Sequence, residues 1–88
     1  MLGQVEQDEK RILYEARKKL DLTQNQVAIK ASITLRHYQM FESGERKLSS
    51  SSFITASKVL KALNLDLTAF ANGEYNIPET DESVSPLE

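Results

Sequence analysis

Side chains that can form paired hydrogen bonds are concentrated in one stretch of the 88-residue chain, residues 23–44, TQNQVAIKASITLRHYQMFESG. Arg36 and Gln39 lie in this stretch, and Met40 follows them. Arginine can pair with two acceptors of guanine, glutamine can pair with the acceptor and the donor of adenine, and an apolar side chain can contact the thymine methyl group. These residues can therefore read DNA bases if one exposed helix presents them together. Without such a helix, the same residues are an ordinary solvated surface.

Two short helices are predicted inside this stretch. Thr23 followed by Gln26 forms a capping box, which begins a helix over residues 24–31. Thr34 caps the next helix, over residues 35–43. Because the link between the two helices is so short, they must cross at a steep angle, and this predicts a helix-turn-helix.

The second of these helices has two different sides. At about 100° per residue, the large apolar residues Tyr38 and Phe41 fall on one side, which we assign to the core. The opposite side carries Arg36, Gln39, Met40 and Ser43, with Leu35 and His37 at its edges. That opposite side suits a helix that lies in the major groove of DNA.

Residues outside the stretch predict three more helices. A first helix over residues 8–20 has acids at its start and bases at its end, as the helix dipole favours. A fourth is predicted from a Ser49 cap to about residue 63, and a fifth from an Asp66 cap to about residue 72. The buried face of the fourth helix is expected to comprise Phe53, Ala56, Val59, Leu60 and Leu63. The predicted fold class is all-α, with five helices.

The charge is distributed unevenly along the chain. The whole chain has a net charge of −2 and a pI of about 5.4. All eleven lysines and arginines lie between residues 9 and 73 with only six acids, whereas residues 74–88 carry five acids and no base. We therefore predict a basic domain over residues 1–73 and an acidic, flexible C-terminal tail over residues 74–88. The low pI of the whole chain does not argue against a nucleic-acid partner.

Several classes of protein are disfavoured by the composition. The chain has no cysteine, which excludes disulfides and thiolate metal sites. No apolar run approaches the roughly 20 residues of a membrane-spanning helix, and the first ten residues lack the pattern of a signal peptide. We therefore expect a soluble, cytoplasmic protein. His37 is the one histidine, and we predict no catalytic, metal or cofactor site and no enzymatic activity.

Residues 9–72 resemble the Cro and phage-repressor family of helix-turn-helix domains, the XRE-type regulators. The matching residues are L-T-Q at 22–24, V-A at 27–28, A-S-I at 31–33, T-L-R-H-Y-Q-M-F-E-S-G at 34–44 and V-L-K-A-L-N-L at 59–65. The resemblance implies a lambda-repressor-like fold that binds double-stranded DNA. It also implies a homodimer on a palindromic operator, with the two recognition helices about 34 Å apart in successive major grooves.

The resemblance also implies roles for individual residues. The base-reading positions are occupied by Leu35, Arg36 and Met40, with His37 and Gln39 beside them. Phosphate contacts are expected from Thr23, Gln24, Ser43, Arg46 and Lys47, which set the position of the protein on DNA without reading its sequence. Arg17 and Glu42 match a buried ion pair that joins the first and third helices in some members.

Two features depart from the family pattern. Ser32 stands in the turn where the family usually has glycine, and a left-handed serine there would cost roughly 1 kcal/mol. The segment after Gly44 is longer than usual and rich in serine. Left-handed residues that end helices are otherwise expected at Gly44, Asn64 and Gly73.

The leading hypothesis is a sequence-specific transcriptional regulator, which we predict to be a repressor. The alternative is the antitoxin of a toxin–antitoxin pair, which would autoregulate its operon and bind a basic toxin through residues 74–88. A third reading is a protein-interaction module that uses the same scaffold without DNA. The fifth helix, around Leu67 and Phe70, is the expected dimer surface.

Overall fold

A computed structural model describes residues 8–75, and all regular secondary structure in that range is helical. The helices are α1 (Glu9–Lys19), α2 (Gln24–Lys30), α3 (Leu35–Ser43), a short 3-10 helix (Leu48–Ser50), α4 (Phe53–Ala62) and α5 (Leu67–Ala71). The prediction of an all-α fold with five α-helices is confirmed over these residues. None of these helices has the length and apolar character needed to cross a membrane.

The predicted helix starts are present at α2, α3 and α5. Thr23 accepts a hydrogen bond from the Gln26 amide, and the Gln26 side chain accepts one from the Thr23 amide at 2.8 Å, so the capping box is complete. Thr34 accepts from the His37 amide at 3.0 Å. Asp66 caps α5 in the same way. Each cap satisfies an amide that the first turn of a helix leaves unpaired.

Three links between helices share one pattern of a left-handed polar residue, an apolar residue and a helix cap. These links are Asp21-Leu22-Thr23, Ser32-Ile33-Thr34 and Asn64-Leu65-Asp66. In each link, the amide of the apolar residue donates to the carbonyl oxygen five residues before it, which closes the preceding helix in a Schellman motif. The same apolar residue packs against the core. One residue therefore helps to end one helix and to orient the next.

The core forms where α3 packs against α1 and α2, and where α4 covers α2. Tyr38 and Phe41 are fully buried, as the two-sided pattern of α3 predicted. Phe70 is buried in the same core, and Leu67 packs against it. The side chain of Phe70 therefore serves the chain's own interior, and the expectation of a dimer surface centred on it does not fit this packing.

The start of α4 differs from the prediction. Ser49 does not cap this helix; Ser52 does, accepting from the Thr55 amide at 3.1 Å. Leu48 is 0% exposed and occupies the core at this corner, whereas Phe53 is 71% exposed and was wrongly predicted to be buried. The reason is that the 3-10 helix turns Leu48 inward first, and Phe53 then begins α4 on its outer side. A run of four serines offers several equivalent caps, and the packing of Leu48 selects one of them.

Of the predicted acidic tail, residues 74–88, the structure describes only residues 74 and 75. The prediction for residues 76–88 lies outside the described residues. Residue Tyr75 packs against the core and its hydroxyl accepts a hydrogen bond from the Asp66 amide at 2.9 Å. Contact with the helical domain therefore extends past Gly73 to Tyr75.

The turn of the helix-turn-helix contains a strained residue. Ser32 has φ of 58°, a left-handed conformation that favours glycine. We expect Ser32→Gly to raise the free energy of unfolding by about 0.5–1 kcal/mol, because relief of strain exceeds the added chain entropy. Urea unfolding measures the change. Ser57→Gly, within α4, is the matched control and should instead lower it by about 1 kcal/mol; equal losses for the two variants would contradict the argument.

Leu48 and Phe53 provide a second test of the packing. Leu48→Ala should lower the free energy of unfolding by about 2–5 kcal/mol, because it leaves a cavity in the core. Phe53→Ala removes a larger side chain, but it should change that free energy by only about 0.5 kcal/mol, because the ring is exposed. Chemical denaturation of both variants measures the difference. A larger loss for Phe53→Ala than for Leu48→Ala would show that the two residues exchange places in solution.

Candidate nucleic-acid interface

The outer side of α3 presents most of the residues that the sequence assigned to base reading. Arg36 and Gln39 are exposed, Leu35 is 37% exposed, and Met40 is half-buried. The Arg36 side chain makes no hydrogen bond or ion pair within residues 8–75, so its guanidinium is available to a partner. These side chains form one surface of mixed polar and apolar character, which we call the α3 face: Leu35, Arg36, Gln39 and Met40.

His37 lies at the edge of this face. It is half-buried, and its ring centroid is 4.9 Å from that of Phe41, with the planes tilted by 31°. This contact holds the imidazole toward the core side of α3. His37 is therefore partly engaged by the chain's own packing, unlike the exposed Arg36.

A single carboxylate anchors α3 to the two helices before it. Glu42 accepts hydrogen bonds from Arg17 Nε at 2.7 Å and Nη2 at 2.9 Å, from Gln24 Nε2 at 2.8 Å and from the Tyr38 hydroxyl at 2.6 Å. Arg17 also donates to the Leu22 carbonyl oxygen at 2.9 Å. The side chains of Arg17 and Glu42 are only 12% and 6% exposed. The ion pair expected between α1 and α3 is thus part of a larger network that includes α2.

The electrostatics of this network keep Glu42 ionised. Burial alone would raise the pKa of Glu42, but hydrogen bonds from Arg17, Tyr38 and Gln24 outweigh burial and hold that pKa below its ordinary value. The hydrogen bond to Glu42 raises the pKa of Arg17. Burial, followed by the hydrogen bond to Glu42, raises the pKa of Tyr38. At neutral pH the network therefore consists of one anion, one cation and a neutral phenol.

The residues expected to contact phosphates differ in how far the protein already uses them. The Thr23 hydroxyl caps α2, and the Ser43 hydroxyl donates to the Met40 carbonyl oxygen and accepts from the Glu45 amide, both at 3.2 Å. Arg46 and Lys47 are exposed, and their side chains make no hydrogen bond or ion pair in the described part of the chain. The two basic residues are thus the freest of the group.

The segment that carries these basic residues is held in place by the start of α1. The Arg46 amide donates to the Met40 carbonyl oxygen at 3.0 Å, and the Ser49 amide donates to Glu9 Oε1 at 3.3 Å. Glu9 is a charged residue with only 8% exposure. At Gly44, where φ is 88°, the Lys10 side chain packs so closely that an added Cβ would lie 3.0 Å from its Cδ. Sequence reasoning missed the roles of Glu9 and Lys10, because their partners lie more than thirty residues away and leave no local signal.

The fold and the α3 face define a helix-turn-helix DNA-binding domain. A family model described as helix-turn-helix matches residues 13–70. The chain belongs to the XRE-type, Cro/repressor-like helix-turn-helix family, whose members are DNA-binding transcription regulators rather than enzymes. No curated protein and no solved structure matches the chain significantly.

The hydrogen bond from Tyr38 to Glu42 should show a dependence on pH. Tyr38→Phe should lower the free energy of unfolding by about 1.5–3 kcal/mol at neutral pH, because a buried carboxylate loses a hydrogen bond. The pKa of Glu42 is lower in the folded chain than its ordinary value of 4.5. The stabilisation is therefore complete above that value and is lost as the pH falls through the folded pKa.

The difference between Tyr38→Phe and the parent should accordingly shrink as the solution is acidified below pH 4.5. Urea unfolding between neutral and acidic pH measures this. Tyr14→Phe, at an exposed tyrosine of α1, is the matched control and should have no effect at any pH. A difference that stays constant with pH would mean that Tyr38 stabilises the fold without acting on the charge of Glu42.

Proposed function

We propose that this DNA-binding regulator is a transcriptional repressor that binds a palindromic operator as a homodimer, with α3 in the major groove. The observation that carries the proposal is the α3 face. Its polar side chains are exposed and its apolar side chains are partly exposed, while the opposite side of the same helix is held in the core by Tyr38, Phe41 and Glu42. A rigid helix with a free outer face loses little conformational entropy on binding, which favours affinity.

The base-reading roles follow from the chemistry of the α3 face. Arg36 is proposed to donate to guanine O6 and N7, and Gln39 to pair with adenine. Leu35 and Met40 are proposed to contact thymine methyl groups. His37 takes a supporting role at the edge, because its ring already packs on Phe41.

The proposed phosphate contacts lie on either side of α3. Arg46 and Lys47 follow it in the segment between the contacts of Glu9 and Lys10, and Ser43 lies at its end. Thr23 and Gln24 lie at the start of α2. Gln24 is proposed to contact phosphate through its backbone N–H, because its side-chain amide is already hydrogen-bonded to Glu42 and Gln39. These contacts set affinity and register, and they make binding sensitive to salt, because each neutralised phosphate releases bound counterions. The basic residues supply this term in spite of the negative charge of the whole chain.

Selection from random DNA duplexes with the purified protein tests the proposal. A homodimeric repressor should enrich two inverted half-sites whose centres lie about 10 base pairs apart. The affinity for the selected site should fall steeply as salt is raised. Failure to enrich any sequence, with no binding even at low salt, would instead favour a protein-interaction module.

Arg36 offers the sharpest single test of the base-reading assignment. Arg36→Ala should weaken binding to the selected operator by about 1–3 kcal/mol and relax the preference at one base pair per half-site. Quantitative binding to operator variants measures both effects. Lys61→Ala, at an exposed lysine of α4, is the control and should change neither. If Arg36→Ala bound as tightly and as selectively as the parent, Arg36 would not be a reader.

A further inference from the structure

A chain of hydrogen bonds leads from the buried ion pair to the α3 face. Arg17 holds Glu42 through two hydrogen bonds, Glu42 accepts from Gln24 Nε2 at 2.8 Å, and Gln24 Oε1 accepts from Gln39 Nε2 at 3.2 Å. Gln39 is the exposed end of this chain. We call the four residues Arg17, Glu42, Gln24 and Gln39 the relay.

The relay has one direction, which follows from the chemistry of its groups. An ionised carboxylate can only accept hydrogen bonds, so Gln24 must turn its NH2 group toward Glu42. The carbonyl oxygen of Gln24 must then face Gln39, and an oxygen can only be met by the NH2 group of Gln39. The buried charge therefore determines the orientation of two amide groups in succession, and the second is at the surface.

We propose that the relay orients the Gln39 amide so that this side chain accepts adenine and rejects guanine at one base pair in each half-site of the operator. This inference rests on the proposed function, and it assigns Gln24 as the residue that positions the reader. Gln39 contacts the base, whereas Gln24 acts through Gln39.

The discrimination arises from the hydrogen atoms that remain on Gln39. One N–H of Gln39 is used by Gln24, which leaves one N–H and the carbonyl oxygen for DNA. Adenine presents an acceptor, N7, and a donor, N6, which match that remaining pair. Guanine presents two acceptors, N7 and O6. A glutamine without a partner can turn both N–H groups toward guanine. Gln39, held by Gln24, would instead place its carbonyl oxygen against guanine N7 or O6, and because both are acceptors no hydrogen bond forms there.

The test uses substitutions by methionine, which keeps the length of glutamine and removes its hydrogen bonds. Selection from random DNA duplexes with Gln39→Met first identifies the base pair at which the base preference of the parent protein disappears. At that position the parent should prefer adenine over guanine by about 5- to 150-fold. Gln24→Met should still bind the adenine operator, but the ratio of adenine to guanine affinity should fall by about fivefold or more. The preferences read by Arg36 should not change.

Two further measurements separate positioning from general damage. Asn25→Met, at the neighbouring exposed residue of α2, is the matched control and should leave the adenine-to-guanine ratio unchanged. In the free protein, the NMR signals of the Gln39 side-chain NH2 group should shift in Gln24→Met, and thermal melting should show that the variant remains folded. An unchanged NH2 signal would overturn the relay even if DNA affinity changed.

The outcomes distinguish this inference from the function on which it rests. If Gln24→Met keeps the adenine-to-guanine ratio of the parent, the relay does not orient the reader and the inference is wrong, although the protein still binds DNA. If Gln39→Met loses preference nowhere, Gln39 is not a reader and the inference is again wrong. If the parent enriches no sequence, the DNA-binding role itself fails, and the relay fails with it.

Discussion

The carboxylate of Glu42 is the interaction on which the rest of the structure depends. It lies near the end of α3 and accepts hydrogen bonds from α1 through Arg17, from α2 through Gln24 and from its own helix through Tyr38. A buried charge with one partner removed is strongly destabilising, so the three helices must keep the arrangement that satisfies it. The two sides of α3 are thereby assigned: one is committed to this network and to the core, and the other is left exposed.

Short helices make such long-range restraint necessary. The longest helix in residues 8–75 has 11 residues, and isolated helices below about 12–15 residues are marginal in water. Caps and Schellman motifs stabilise the ends of these short helices, but they do not by themselves make the helices stable. Three links each close one helix, pack one partly buried apolar side chain against the core and cap the next helix; they are Asp21-Leu22-Thr23, Ser32-Ile33-Thr34 and Asn64-Leu65-Asp66. The left-handed Ser32 lies in one of these links, between the end of α2 and the cap of α3.

The buried ion pair is also connected by hydrogen bonds to the proposed base-reading residue Gln39. A base-reading side chain is selective when its donors and acceptors have a defined direction, and an exposed amide on its own has none. In this chain the side chains of the ion pair Arg17–Glu42 are only 12% and 6% exposed. The carboxylate of Glu42 sets the orientation of the Gln24 amide, and Gln24 is proposed to set that of the Gln39 amide. In the proposed relay, stability and base specificity draw on the same buried charge. The segment with Arg46 and Lys47 is also held by α1, since Lys10 contacts Gly44 before it and Glu9 accepts a hydrogen bond from Ser49 after it.

The sequence by itself determined the features that depend on neighbours within about one helical turn. The bounds of α3, the capping box at Thr23 and Gln26, and the inward side of Tyr38 and Phe41 could all be read from spacing, because caps and helix faces are local. Only the tertiary structure decided between Leu48 and Phe53 as the residue that enters the core, and between Ser49 and Ser52 as the cap, since four successive serines are locally equivalent. It alone brought Glu9 to Ser49 and Gln24 between Glu42 and Gln39. Such contacts join residues 15 to 40 positions apart, and their geometry exists only after the helices have packed.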